Sequence, residues 1–307
     1  MEIKNSFNDE TSYVQHSLIV SKLKDKIKNY QNLEIILSEL PKGSILVGGF
    51  IRDLILDRLS LYPDIDIVIP NNSLDIGKNI AEKFSGKFLI LDQDRNIVRI
   101  IFRNFTVDIA SQTHELLAED LKSRDFTINS VGFSFNNEKL IDPAHGICDI
   151  NDSLLRSLRF KNLLDDPLRI LRCFRFVSEL NFHIEPRILE FIKLNKFRLK
   201  TVSPERIQYE LKRIVQGKEA LKTVESLNEI RIFDWAQSYE NNYSNKLLHI
   251  NFDNFLQDEI DQFFPIAYLK ELLKEPVLTK FKFSKSHILS INSLRKWSKK
   301  IKEKSII

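Results

Sequence analysis

Residues 45–69, ILVGGFIRDLILDRLSLYPDIDIVI, constrain this chain most. Two apolar runs, each long enough for a short strand, bracket a Gly-Gly pair, a helix-sized segment and a turn. Side chains alternate between faces along a strand, so Asp64 and Asp66 project to one side and Ile65 to the other. Two carboxylates on one face repel each other unless a cation lies between them. Mg²⁺ is the hard ion that accepts carboxylate oxygens and keeps room for phosphates. Gly48 and Gly49 leave backbone N–H groups open to an anion, and a helix over 50–59 starts just after them with its N-terminus aimed the same way. A D-x-D or a Gly-Gly alone is usually a turn or a solvated edge. The two together, at this spacing between strand-like runs, point to a nucleotide-phosphate and metal site.

The remainder separates into two textures. Residues 17–40 carry apolar residues at helical spacing and stop before Pro41-Lys42-Gly43. A helix over 73–85 ends at Gly86, and 87–92, 96–102 and 105–110 follow as strands separated by polar turns. These elements predict a mixed α/β sheet of mostly short antiparallel strands. After about residue 150 the pattern turns helical, over 165–180, 185–194, 203–216 and 218–230, with Pro167, Pro186 and Pro204 near the starts. The expected fold class is α+β: a catalytic head over 1–150, a helical neck over 151–218 and a helical body over 219–307. The chain has 307 residues, 43% of them hydrophobic and 29% charged, which suits a protein with a sizeable buried core. No run approaches the roughly 20 apolar residues of a membrane span, and the polar start lacks a signal-peptide pattern. A cytoplasmic protein is expected. Two cysteines, Cys148 and Cys173, make neither a disulfide framework nor a zinc site.

Three further clusters carry chemistry. Asp108 lies on a strand that could neighbour Asp64 and Asp66, either as a third carboxylate for two divalent ions or as a plain edge residue. In 120–129, DLKSRDFTIN, Arg124 is a phosphate donor, Asp125 an acceptor for a sugar hydroxyl and Asn129 a two-way amide; a capped helix with a solvated turn is the plainer reading. In 165–176, DDPLRILRCFRF, Asp166 and Arg169 would share a helix face that Arg172 extends, opposite a buried face of Leu168, Leu171 and Phe174. That face is either an ion pair in solvent or a set of groups matched to the edge of a base.

In this order, GGFIRD with DID, SRDFTIN, DPAHGICD (142–149), DDPLRILRCFRF and PERIQYEL (204–211) resemble the class II tRNA nucleotidyltransferase and bacterial poly(A) polymerase family, within the polymerase-β-like nucleotidyltransferases. The resemblance covers roughly residues 40–220. It implies a Mg²⁺-dependent, two-metal transfer of CMP and/or AMP from CTP or ATP to the 3′ end of tRNA. Asp64 and Asp66 correspond to the metal-binding carboxylates and Asp108 to a third acidic position. Gly48, Gly49, Arg52 and Asp53 correspond to the phosphate side, and Arg124, Asp125 and Asn129 to the ribose-reading motif. Asp142, Gly146 and Asp149 correspond to a link between head and neck. Asp166 and Arg169, with Arg172 beside them, correspond to the protein template for the incoming base, and Glu205 and Arg206 to a brace for it. The chain departs from the pattern at Asp165, where Glu is frequent, and at Ser123, where Arg is common. About 90 residues follow the last motif, so a reduced RNA-gripping part is expected. Residues 86–99 are the expected seat of a mobile specificity segment.

Toward the end, Lys280, Lys282, Lys296, Lys299 and Lys300 interleave with Phe281, Phe283 and Trp297, a pattern suited to RNA phosphates and base stacking or to a solvated helix end. Arg172 and Arg175 would add to this surface. His114 and His145 read as ordinary polar residues. A poly(A) polymerase and an inactive RNA-binding relative stand as alternatives.

Overall fold

The computed structural model describes the backbone of residues 3–237 and 257–304, and the side chains of 14–237 and 264–296. The chain divides into two compact units, Met1–Asp152 and Ser153–Ile307.

The first unit is built on a seven-stranded mixed sheet. Its strands are β1 (Ile45–Val47), β2 (Asp64–Ile69), β3 (Lys87–Asp92), β4 (Ile97–Ile101), β5 (Thr106–Ser111), β6 (Gly132–Ser134) and β7 (Lys139–Ile141). The spatial order is β3-β4-β5-β2-β1-β6-β7. Every neighbouring pair is antiparallel except β2 with β5, which is parallel. Ile65, Ile67, Val98, Ile100, Val107 and Ile109 turn to one face and are at most 1% exposed. Burying these β-branched side chains is the main force that fixes the register, because a slip of one residue would turn them to the other face.

The helices of this unit are α1 (Ile3–Asn29), α2 (Leu33–Ser38), α3 (Gly49–Ile55), α4 (Ser73–Lys83), α5 (Leu117–Lys122) and α6 (Gly146–Asn151). The segment expected as one helix over 17–40 is two, broken where Asn32 takes a left-handed conformation (φ 68°), which Asn tolerates better than most residues. A Cβ on Gly77 would meet Val98 Cγ2 at 2.5 Å, so this glycine sets how closely α4 lies on β4.

The second unit is helical: α7 (Phe160–Asp165), α8 (Leu168–Leu180), α9 (Pro186–Asn195), α10 (Pro204–Gln216), α11 (Ala220–Glu229), α12 (Gln257–Leu272), α13 (Glu275–Lys280) and α14 (Lys285–Lys304). Two short strands, β8 (Leu154–Leu155) and β9 (His183–Ile184), pair in parallel. Pro186 and Pro204 open α9 and α10, where a missing N–H costs nothing. Ile207, Leu211, Ile214 and Val215 form the buried stripe of α10, which packs on α8 and α12. At its end Gly217 lies so close to α8 that a Cβ would meet Ser178 Oγ at 2.2 Å.

Candidate active site

The second face of the sheet carries the acidic residues. Asp66 on β2 is the register partner of Asp108 on β5, and Asp64 pairs with Thr106, so Asp64, Asp66 and Asp108 share one face. Deeper along that face, Ile45, Val47, Val68 and Leu121 close it with a small apolar cluster. Asp64 is exposed and Asp66 half-buried.

Gly48 links β1 to α3 at φ 79°, a conformation suited to glycine. A Cβ there would meet Asp66 Oδ2 at 2.8 Å and an Arg124 guanidinium nitrogen at 3.2 Å. The Gly-Gly turn, the D-x-D strand and the SRDFTIN segment therefore converge at one point. The hard oxygen donors of Asp64 and Asp66, on one face and reachable at Asp64, fit a magnesium-sized ion. Among the described residues no three His, Cys, Asp or Glu side chains make a ready-formed cage. Asp108 is engaged by Arg99, whose Nε and Nη2 each donate to a different Asp108 oxygen at 2.8 Å. That bond, helped by the negative charge of Asp64 and Asp66, holds the Arg99 guanidinium above its ordinary pKa.

Arg99 has no role in the sequence reading, although a signal exists. It and Asp108 stand equally far from the tip of the turn at 102–105, which places them directly opposite across β4 and β5. Residues 86–99, expected as a mobile specificity segment, form β3, a turn and the first part of β4.

The phosphate-side residues form an inward chain. Arg52, 8% exposed, donates from Nε and Nη2 to its neighbour Asp53 at 3.0 Å and from Nη1 to Asn129 Oδ1 at 2.6 Å. Asn129 donates in turn to Asp125 Oδ1 at 2.9 Å, which also accepts the Phe126 N–H. Asp125 and Asn129 are both buried. These four side chains fix the turn Thr127–Asn129 and the backbone at Asp125, the residue that follows Arg124. The DPAHGICD segment backs the same turn: Asp142 accepts the Gly146 and Ile147 N–H groups at 2.7 and 2.9 Å, and Thr127 Oγ1 donates to Asp149 at 2.5 Å.

In the second unit Asp166 is not on a helix. It lies extended (φ −133°, ψ 93°) between α7 and α8, because Pro167 disfavours the helical region for the residue before it. Only Arg169 is helical, so the shared face expected for the two does not form in that way. They stay joined locally, since the Arg169 N–H donates to the Asp166 carbonyl at 3.0 Å. Arg206 donates to Asp166 Oδ2 at 2.8 Å, and Arg172 lies over the Phe176 ring at 5.7 Å. Leu168, Leu171 and Phe174 are buried.

Other expectations for RNA contact change. Arg175 is 5% exposed, bonds Glu210 at 3.1 Å and lies 4.7 Å from the Phe176 centroid, so it is a core ion and no RNA contact. Phe281 and Phe283 are also core, at 1% and 5% exposure, because the chain at 281–283 folds back between α13 and α14. Lys282 bonds Glu205, and Lys280 lies 4.8 Å from the Trp235 ring centroid. Lys296 is exposed. The side chains of Trp297, Lys299 and Lys300 lie outside the described residues. A basic surface that the sequence reading omits is an open hollow lined by Arg156, Arg159, Arg187 and Glu185, beside Phe160 stacked at 4.8 Å on Phe191.

A mixed sheet whose β2 presents two carboxylates to a glycine-bounded strand–helix turn defines a nucleotidyltransferase head. Family models agree: a poly A polymerase head domain matches residues 44–156, and a probable RNA and SrmB-binding site of polymerase A matches 181–237. A CC-adding tRNA nucleotidyltransferase of Synechocystis sp. is 38% identical over 180 residues, 59% of this chain and 43% of that protein. Other relatives are named A-adding tRNA nucleotidyltransferase and CCA-adding enzyme. A solved CCA-adding enzyme with CTP has a TM-score of 0.74 at 25% identity, over 94% of this chain and 74% of that one. A Thermotoga maritima CCA-adding enzyme with tRNA has 0.72 at 25%, over 88% and 71%. The chain belongs to the class II tRNA nucleotidyltransferase and poly(A) polymerase family. It spans less than half the length of the Synechocystis relative. Among the described residues no helix is long and apolar enough to cross a membrane.

Proposed function

We propose that the protein transfers CMP and/or AMP from CTP or ATP to the 3′ end of tRNA, with residues 1–150 as head, 151–218 as neck and 219–307 as body. The observation that carries this reading is the convergence of Asp66 and Arg124 on Gly48, beside Asp64 on the same face. Asp64 and Asp66 would hold Mg²⁺, which when bound neutralises phosphate charge and acidifies the attacking hydroxyl. Gly48 keeps the backbone close to the phosphates, and Arg124 offers a guanidinium to a phosphate or ribose oxygen. Asp53, Arg52, Asn129 and Asp125 brace the backbone that follows Arg124 rather than touching the nucleotide. The rate then comes chiefly from positioning.

Asp166 and Arg169 choose the base. A carboxylate accepts from the amino group that cytosine and adenine share, and a guanidinium donates to a ring nitrogen that both carry. Uracil and guanine would leave these groups unpaired, which is costly. Arg206 steadies Asp166. Arg156, Arg159, Arg187, Lys280 and Lys296 are the proposed RNA-phosphate contacts. Replacing Asp166 and Arg169 together by Ala is expected to lower discrimination against UTP and GTP by about 100-fold or more; an unchanged CTP and ATP preference would refute the base-reading role.

The description of the head as a poly A polymerase domain favours a second reading, with ATP alone and unstructured RNA. Label incorporation with Mg²⁺ from CTP and from ATP separates them. The acceptors are tRNA lacking its terminal CCA, tRNA ending in CC, and an unstructured RNA. C or A added to the tRNAs alone supports the tRNA reading, and long A tails on any RNA favour the second. No incorporation contradicts both.

A further inference from the structure

Asp66, Asp108, Arg99 and Leu89 are successive register partners across β2, β5, β4 and β3. One row of the open face thus runs from a proposed metal ligand to the sheet edge with a cation in it. Arg99 satisfies both Asp108 oxygens with a two-pronged bond, the strongest neutral-pH arrangement a carboxylate finds without a metal. The Asp108 side chain is 17% exposed and that of Arg99 35%.

We propose that Arg99 is a positioning residue that occupies the third carboxylate in the resting protein, so that a divalent cation meets Asp64 and Asp66 first and gains Asp108 only by displacing the guanidinium. This rests on the nucleotidyltransferase reading of the same site. A bidentate guanidinium and a divalent ion on the same two oxygens repel each other and compete for the carboxylate's charge. The two cations therefore compete, and each weakens the other's hold by the same factor. Discharging Arg99 frees Asp108 and leaves three carboxylates facing one another, which favours a divalent ion. A purely structural Arg99 makes the opposite forecast, since losing the bond would loosen β4 from β5 and weaken binding.

The test is Mn²⁺ binding to the full chain without nucleotide, read by electron paramagnetic resonance of free Mn²⁺. Arg99→Met is expected to tighten binding about 10-fold, within the range of such couplings. Arg99→Lys should tighten it less, because a lysine keeps the charge but not the fork. Adding Asp108→Asn to Arg99→Met should cancel the gain. Unchanged or weaker binding in Arg99→Met or Arg99→Lys, with thermal unfolding intact, overturns the proposal, as does a gain that survives Asp108→Asn. Should Arg99→Met fail to fold, Arg99→Lys decides alone. Those results would leave the nucleotidyltransferase reading standing. No Mn²⁺ binding by the wild type or any variant would overturn both.

Discussion

Gly146 shows how a single residue joins distant parts of the head. A Cβ there would meet the Thr127 carbonyl oxygen at 2.2 Å and Val131 Cγ2 at 2.9 Å. The oxygen belongs to backbone in the turn that carries Asn129, so it cannot swing aside. Gly146→Ala is expected to destabilise the protein by about 1–3 kcal/mol, the usual cost of overpacking, measurable as a lower denaturant midpoint. A wild-type midpoint would mean that the turn yields freely. At this scale the sequence was informative about which motifs meet and less so about what individual side chains touch. Gly48, Asp66 and Arg124 meet as their motifs suggest. Arg52 turns inward because its buried partner, Asn129, lies 77 residues along the chain, which no local spacing encodes; Asp125 turns inward onto the same Asn129, four residues on.

Among the elements, the long strands and helices were legible because their apolar periods are clean. β6 and β7 were not, since three residues carry no readable alternation. The helix over 165–180 begins three residues later, at Leu168, and Pro167 already argues that the preceding aspartate lies outside it. Arg175 illustrates the limit. Its partner Glu210 lies 35 residues on, in α10, and the sequence shows only another arginine at helical spacing. Burial pushes the Arg175 guanidinium down to about 10 and the Glu210 carboxyl up, so each charge is held mainly by the other. Arg175→Met should destabilise by about 3–5 kcal/mol by stranding Glu210, and adding Glu210→Leu should restore most of that loss. Equal unfolding free energies for the single and double variants would show that the pair is not coupled.

For the whole molecule, net charge says little, since +4 over 307 residues is mild. Local distribution matters more. Arg156, Arg159 and Arg187 line one hollow of the second unit, and Lys280 and Lys296 are exposed elsewhere in it. If these side chains meet tRNA phosphates, Arg187→Ala and Lys296→Ala should each weaken tRNA binding and reduce the slope of log affinity against log salt by about 1. Slopes identical to wild type would remove them from the interface. The central claim concerns the carboxylate face, and incorporation of CMP and AMP into tRNA by Asp64→Asn tests it most directly. The expected result is a loss of at least about 100-fold, since even supporting partners of metal ligands cost 10- to 100-fold, with an unchanged unfolding midpoint. Incorporation at the wild-type rate would contradict the account, because Asp64 would then hold nothing that the reaction needs.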